Sequence, residues 1–250
     1  MAGESGSLSA AGEPQDQASH LTRLAHDLKG PMNSVLGYAE LLGRGIYGPL
    51  SAKQQRASDG IHTQGRKVLD GIDDLVAWFR IQAGDRPKDQ RPFDALVVAA
   101  EVVAELQPRF SEAGINLVPP TNGDGAVAPT ALGEWGFVAS ALTKLLENAL
   151  AAGRAAVRVD VGELGDQVRI DVIDDGPGLP PAVRATLDRP LGPERPADAP
   201  GLGLGIVLAR GWLEGMGGGL RYETPANGGT VARISLPAAR SDEPLGGSHA

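Results

Sequence analysis

The chain has no cysteine, so disulfides, thiolate zinc sites and cysteine nucleophiles are all excluded. It also lacks any apolar run approaching the roughly 18 residues that a bilayer-spanning helix needs. Its first 20 residues, MAGESGSLSAAGEPQDQASH, hold no apolar core flanked by basic residues, so they do not read as a secretory leader. Positive charge is in deficit, with 23 Lys and Arg against 31 Asp and Glu and a formal net charge of −8. That balance excludes bulk electrostatic binding to nucleic acid or to an anionic membrane. No Gly-Lys-Ser/Thr phosphate loop occurs anywhere. What is present is ordinary globular material, 42% hydrophobic and 22% charged over 250 residues. By the rule of about 100–200 residues per domain, that is one large domain or two small ones. Gly at 35 and Pro at 19 point to long loops or glycine-dependent turns. The expectation is a soluble, cytoplasmic protein with no nucleic-acid partner and no membrane insertion.

Residues 1–17 carry almost no large apolar side chain and read as a flexible tail, as do residues 239–250. Leu21, Ala25, Leu28, Met32, Val35, Ala39 and Leu42 alternate spacings of 4 and 3, the seam of a packed helix. After a break at Gly43, Gly45, Gly48 and Pro49, Ser51 is placed to cap a second helix. That helix repeats the seam with Ile61, Gly65, Val68, Ile72, Leu75 and Phe79. Two antiparallel seams of this length predict a hairpin over 18–83 that pairs with a second copy into a four-helix bundle. The alternative is a hairpin packed on its own downstream domain. A polar linker, 84–91, leads into a second pattern, over 92–238, with helices at 95–112, 131–152 and 204–215. Strands are predicted at 115–118, 156–161, 167–173, 219–223 and 230–236. Together these predict an α+β two-layer sandwich with helices on one face of a mixed sheet. The Pro-rich stretch 180–200 lacks periodicity and reads as a long loop.

Four short constellations carry chemistry. His26-Asp27-Leu28-Lys29-Gly30-Pro31 sets a histidine beside an acid, off the seam and toward solvent. The acid can hold one ring nitrogen and leave the other nucleophilic, and Pro31 removes one helical hydrogen bond and should kink or loosen the helix. Leu145-Leu146-Glu147-Asn148-Ala149 places an asparagine in a helix interior, where its carbonyl oxygen is a hard ligand suited to Mg²⁺. Asp174-Asp175-Gly176-Pro177-Gly178 follows a strand and brings backbone close to a ligand, with an acid at the strand end able to accept from an exocyclic amine. Gly201-Leu202-Gly203-Leu204-Gly205 opens a helix whose free N–H groups suit a phosphate. It is not the dinucleotide fingerprint, because Ile206 stands where the third glycine would fall.

In order and spacing, these motifs over residues 18–238 resemble the sensor histidine kinases of two-component signalling. His26 to Pro31 is similar to that family's phospho-acceptor box, and Asn148 falls in its asparagine box. Residues 174–178 and 201–205 fall on its two glycine boxes, and Gly229-Thr230 completes the set. The resemblance implies a dimerisation and histidine phosphotransfer hairpin followed by an ATP-binding domain of the Bergerat type. It implies His26 as phospho-acceptor, Asp27 as the acid that activates it, and Asn148 as the residue holding Mg²⁺ against the phosphates. Asp174 would read the adenine amine with Thr230 nearby, and Gly176 and Gly178 would shape the adenine turn. Gly201, Gly203 and Gly205 would hinge a lid and contact phosphates. ATP and Mg²⁺ are the implied cofactors, a response-regulator receiver domain the implied partner, and a homodimer the implied assembly. No sensory domain is expected before residue 18, so the input could arrive through a separate sensor protein.

Two positions depart from the pattern. Where the family often has an asparagine four residues before Asn148 there is Lys144, and where it often has a base three residues after there is Ala151. Lys144 lies one turn from Asn148 on the same helix face and could supply the missing charge; a solvated lysine is the alternative. Lysine cannot activate water as the glutamate of related hydrolases does, which favours transfer to a protein over hydrolysis. The lid also lacks the family's phenylalanine pair, with Leu187 and Leu191 the nearest candidates. Two other readings compete: a non-catalytic phosphotransfer or scaffold protein with a degenerate ATP site, and a serine kinase of the anti-sigma-factor type. The intact glycine boxes and Asn148 weigh against the first, and the histidine-bearing hairpin against the second.

Overall fold

A computed structural model of the chain describes residues 14–85, 87, 89–122, 129–178, 204–226 and 228–239. They divide into two compact units, a helical hairpin and an α+β unit that follows it.

The hairpin consists of α1 (Pro14–Gly43) and α2 (Ala52–Gln82). Helix α1 begins within the stretch expected to be a flexible tail and remains helical through Pro31. Ser51 caps α2 as expected. Its Oγ accepts from the Gln54 N–H while its own N–H donates to Gln54 Oε1 at 2.9 Å, a reciprocal box that satisfies two otherwise orphaned donors. Inside the hairpin Ala25, Leu36, Ala39 and Leu69 are buried, and Ser58 donates to the Ala39 carbonyl at 2.6 Å. Gly65 lets the helices approach closely, since an added Cβ there would lie 2.6 Å from Leu36 Cδ2.

The predicted seams divide in two. Ala25, Ala39 and Gly65 are buried between α1 and α2, whereas Leu28, Val35 and Leu42 on α1 and Ile61, Val68 and Leu75 on α2 stay exposed. Each exposed set recurs every seven residues, so one half of each seam is used within the chain and the other half is not.

The α+β unit opens with β1 (Arg91–Asp94) and α3 (Ala95–Glu112), with Asp94 as N-cap accepting from the Leu96 and Val97 N–H groups. Next come β2 (Asn116–Asn122), β3 (Thr130–Gly133), α4 (Trp135–Ala152), β4 (Ala156–Leu164) and β5 (Gln167–Asp174). The unit closes with α5 (Gly205–Gly215), β6 (Gly219–Glu223) and β7 (Thr230–Pro237). The five-stranded sheet runs β2-β4-β5-β7-β6, with β2 parallel to β4 and the remaining pairs antiparallel. This is the mixed sheet the patterning predicts, with three details corrected. Residues 131–133, expected to start a helix, instead form β3, which pairs antiparallel with the unpredicted β1; an apolar run this short does not distinguish strand from helix. Strand β2 continues past Val118 through Pro119 and Pro120, which an edge strand tolerates at the cost of a register shift before Thr121. The first of the two alternating strands, expected to end at 161, continues to Leu164, which leaves a short link with Gly165 at φ 66°.

One face of the sheet carries the core. Val157, Val159, Val161, Val168, Ile170, Val172, Ile234 and Leu236 meet Val98, Phe110, Leu142, Leu146 and Leu213 from the three helices. The other face is polar and is organised around Asp171, whose side chain is 4% exposed. Its carboxylate accepts from Arg169 Nη1 at 2.7 Å and from Arg233 Nε and Nη2 at 2.8 and 2.9 Å, and Arg233 also reaches Glu223. These contacts hold the Arg233 guanidinium charged, above its usual range. Removing the acid leaves two partly buried guanidiniums without their shared acceptor, and Arg233 with Glu223 alone. Asp171→Ala is therefore expected to lower stability in urea unfolding by about 3 kcal/mol, the lower end for a broken buried pair because both arginines are partly wet.

Candidate functional site

In the hairpin, Ala25 is buried and its neighbour His26 points outward, with a side chain 90% exposed. His26 Nδ1 lies 3.7 Å from Asp27 Oδ1, beyond hydrogen-bond range but facing it, which leaves Nε2 as the outward nitrogen. One turn on, Lys29 forms an ion pair with Asp73 of α2, tying the helix that bears the histidine to its neighbour. Pro31 has no N–H, so the carbonyl of Asp27 has no ladder partner. An added Cβ at Gly30 meets nothing within 4 Å, so packing does not require glycine there.

In the α+β unit, Asp174, Gly176, Gly178 and Thr230 meet where β5 ends and β7 begins. Asp174 ends β5 half-buried, directly opposite the buried Thr230 that begins β7. Asp174 Oδ1 accepts from the Gly176 N–H at 2.8 Å, closing a tight turn. That turn sits against the last residue of α4: a Cβ on Gly176 would lie 2.5 Å from the Ala152 carbonyl oxygen and 2.7 Å from Asp174 Oδ1. On its other side the Gly176 carbonyl accepts from the Gly229 N–H at 3.0 Å, and a Cβ on Gly229 would collide with the Asp174 carbonyl. Only glycine fits either place. Gly178 adopts φ 80° beside Thr224.

On α4, Asn148 is exposed and Lys144 half-buried, one turn apart on the same face. A Cβ added at Gly205 would lie 3.4 Å from Lys144 Cδ, so the lysine stem runs along the first residue of α5. The expected cation is thus at the helix start where a phosphate is expected. Ala151 is exposed. Gly201, Gly203, Leu187 and Leu191 lie outside the described residues.

Asp175 was not singled out from the sequence. Its Oδ1 accepts from the N–H groups of Arg154 and Ala155 at 2.8 and 3.1 Å, and its Oδ2 from those of Ala155 and Ala156 at 3.0 and 3.3 Å. The backbone donors of Arg154 and Ala155, foremost among these, hold its carboxyl below the ordinary aspartate range. An aspartate before glycine ordinarily bonds to the backbone two residues on. Here the partners stand some twenty residues away, so no local signal discloses them.

The residues fit ATP with Mg²⁺. Gly176 leaves no room for a side chain, an acid stands beside it, and elsewhere in the unit a lysine lies against a helix start. Among the described residues no three His, Asp or Glu side chains converge on a cation site. A Mg²⁺ held by the Asn148 carbonyl would therefore take most of its remaining ligands from phosphate and water, its usual manner.

Two family models match. The His Kinase A (phospho-acceptor) domain covers residues 16–84, and the Histidine kinase-, DNA gyrase B-, and HSP90-like ATPase covers residues 136–240. Among curated proteins, the chain is 27% identical over 228 residues to histidine protein kinase DivJ of Caulobacter vibrioides, covering 88% of this chain and 37% of the relative. It is 26% identical to the non-motile and phage-resistance protein of the same organism, covering 90% of this chain and 27% of the relative. It is 29% identical to sensor protein KdpD of Mycobacterium tuberculosis, covering 98% of this chain and 28% of the relative. The chain thus spans well under half the length of these relatives. Among solved structures, full-length ShkA in complex with AMPPNP superposes with a TM-score of 0.70 at 23% identity, over 92% of this chain and 47% of that one. Histidine kinase AdeS of Acinetobacter baumannii superposes with a TM-score of 0.59 at 15% identity, over 86% of this chain and 98% of that one. With a phospho-acceptor domain followed by a kinase-type ATPase domain, the chain belongs to the histidine kinases.

Proposed function

We propose that this chain uses ATP to phosphorylate its own His26 and passes the phosphoryl group to an aspartate of a response-regulator receiver domain. The observation that carries the reading is the outward imidazole with Nδ1 facing Asp27, in a chain whose other unit ends its central strand in a glycine turn beside Asp174 and Thr230. Residues 18–83 act as the dimerisation and phosphotransfer hairpin, 84–91 as a linker and 92–238 as the ATP-binding domain.

The nucleotide is read by Asp174, whose carboxylate accepts from the adenine amine, with the Thr230 hydroxyl beside it. Gly176, Gly178 and Gly229 let backbone approach the ring. Lys144, Gly201, Gly203 and Gly205 receive the phosphates. Asn148 would hold Mg²⁺, which when bound would supply charge neutralisation on the phosphate oxygens. The lone pair of His26 Nε2 attacks the γ-phosphorus, the bond to the bridging β-phosphate oxygen breaks, and ADP leaves with that electron pair. Asp27 takes the Nδ1 proton, so the phosphorylated ring is left neutral. Little covalent work falls to the protein, and positioning with charge neutralisation supplies the acceleration. In the second step a carboxylate oxygen of the regulator attacks the phosphorus, the bond to Nε2 breaks, and the proton held by Asp27 returns to Nδ1 to regenerate the neutral imidazole.

Incubation with radiolabelled ATP is expected to give an acid-labile, base-stable label, as phosphohistidine is. His26→Gln should abolish it while leaving nucleotide binding intact, and label persisting in that variant would contradict the assignment.

A homodimer follows from the half-used seams. Leu28, Val35 and Leu42 with Ile61, Val68 and Leu75 form an apolar stripe that a second copy covers. At about 25 cal/mol per Å², burying several hundred Å² per chain favours association by several kcal/mol before entropy costs. Light scattering at micromolar concentration should give twice the chain mass, and Leu28→Ser or Leu75→Asp should shift it toward the monomer.

Gly30 stands one turn after His26, where the family usually carries a hydroxyl or amide that positions water against the regulator's phospho-aspartate. Glycine cannot do this, so regulator phosphate should decay at nearly its unassisted rate when the protein and ADP are added. The open space at Gly30 accommodates Gly30→Thr or Gly30→Asn, and either should raise the decay rate.

A further inference from the structure

We propose that Asp175 is a positioning residue for phosphoryl transfer, fastening the adenine turn to the end of α4 so that Asp174 and Asn148 keep a fixed relation. The inference rests on the ATP-dependent histidine kinase reading and adds a residue to it. Asp175 does not stand where Asp174 stands: its two oxygens are taken up by the consecutive N–H groups of Arg154, Ala155 and Ala156. Those residues form the junction between α4, which ends at Ala152, and β4, which begins at Ala156. Asn148 lies in the last turns of that same α4.

The adenine turn therefore has two fasteners on opposite sides. Asp175 joins it to the α4–β4 junction, and the Gly176 carbonyl joins it to the Gly229 N–H ahead of β7. Asp174 is held independently of Asp175, by its pairing with Thr230 across β5 and β7 and by its own bond to the Gly176 N–H. Cutting the Asp175 fastener leaves the adenine reader in place. What it loosens is the junction that sets the end of α4, and with it Asn148. Three adjacent backbone donors then lose their shared acceptor.

Removal of this carboxylate should separate binding from transfer. A displacement of about 1 Å at a positioning group can cost about 10²-fold in rate. In the full chain, Asp175→Ala is expected to bind a non-hydrolysable ATP analogue within about threefold of wild type, while autophosphorylation at saturating ATP falls about tenfold or more. Asp175→Asn keeps one acceptor oxygen in place and should recover an intermediate rate, which also covers the case in which the alanine variant folds poorly. A rate for Asp175→Ala within about twofold of wild type would overturn the proposal, as would a rise in dissociation constant matching the loss of rate. Amide hydrogen exchange at Arg154, Ala155 and Ala156 gives a second readout, expected to quicken in Asp175→Ala whether or not label is incorporated. Unchanged exchange there would overturn the fastener. Failure of the wild type itself to incorporate phosphate would count against the kinase reading alone.

Discussion

The α+β unit depends on how closely the chain leaving β5 approaches the end of α4. Ala152 and Gly176 sit so near each other that one methyl group between them would have to displace a backbone carbonyl. The same holds on the far side, where Gly229 closes against the Asp174 carbonyl. Because backbone cannot yield as a side chain can, the turn has one shape. At Gly176 and Gly229 only backbone fits, with Asp174 and Thr230 paired beside them. The helices on one face of the sheet and the Asp171 network on the other keep β4, β5 and β7 in the register that this closeness needs.

Much of this is legible in the chain, and for physical reasons. Glycines required by close approach leave a fixed mark, so Gly176, Gly178 and Gly229 stand out beside Asp174 without any coordinates. Alternating strands such as 167–173 and a capping serine such as Ser51 are equally direct, because their signals are local. The contacts that escape are those whose partners are far apart in sequence. Asp175 reaches back to residues 154–156, and Asp171 reaches forward to Arg233. The β1–β3 pair escapes because four-residue strands carry too little periodicity to be told from helix starts.

The hairpin shows the opposite case, in which the sequence pattern contains more than one chain uses. Every member of the heptad seam reads as core, yet Leu28, Val35, Leu42, Ile61, Val68 and Leu75 are exposed in the single chain. Apolar spacing alone does not distinguish positions that pack within a chain from positions left exposed on it. The buried half of the seam, built of alanine and glycine, brings α1 and α2 close together. The exposed half, built of leucine, isoleucine and valine, has the bulk suited to a facing helix.

The proposed kinase function requires a nucleotide at the end of β5, against backbone. Amide hydrogen exchange read residue by residue, with and without a non-hydrolysable ATP analogue and Mg²⁺, tests this directly. Slowed exchange is expected at Gly176, Gly178, Thr230 and the first turn of α5, with the outer face around Asp171 unchanged. Protection confined to other parts of the chain, or absent from the turn after β5 at saturating nucleotide, would contradict it.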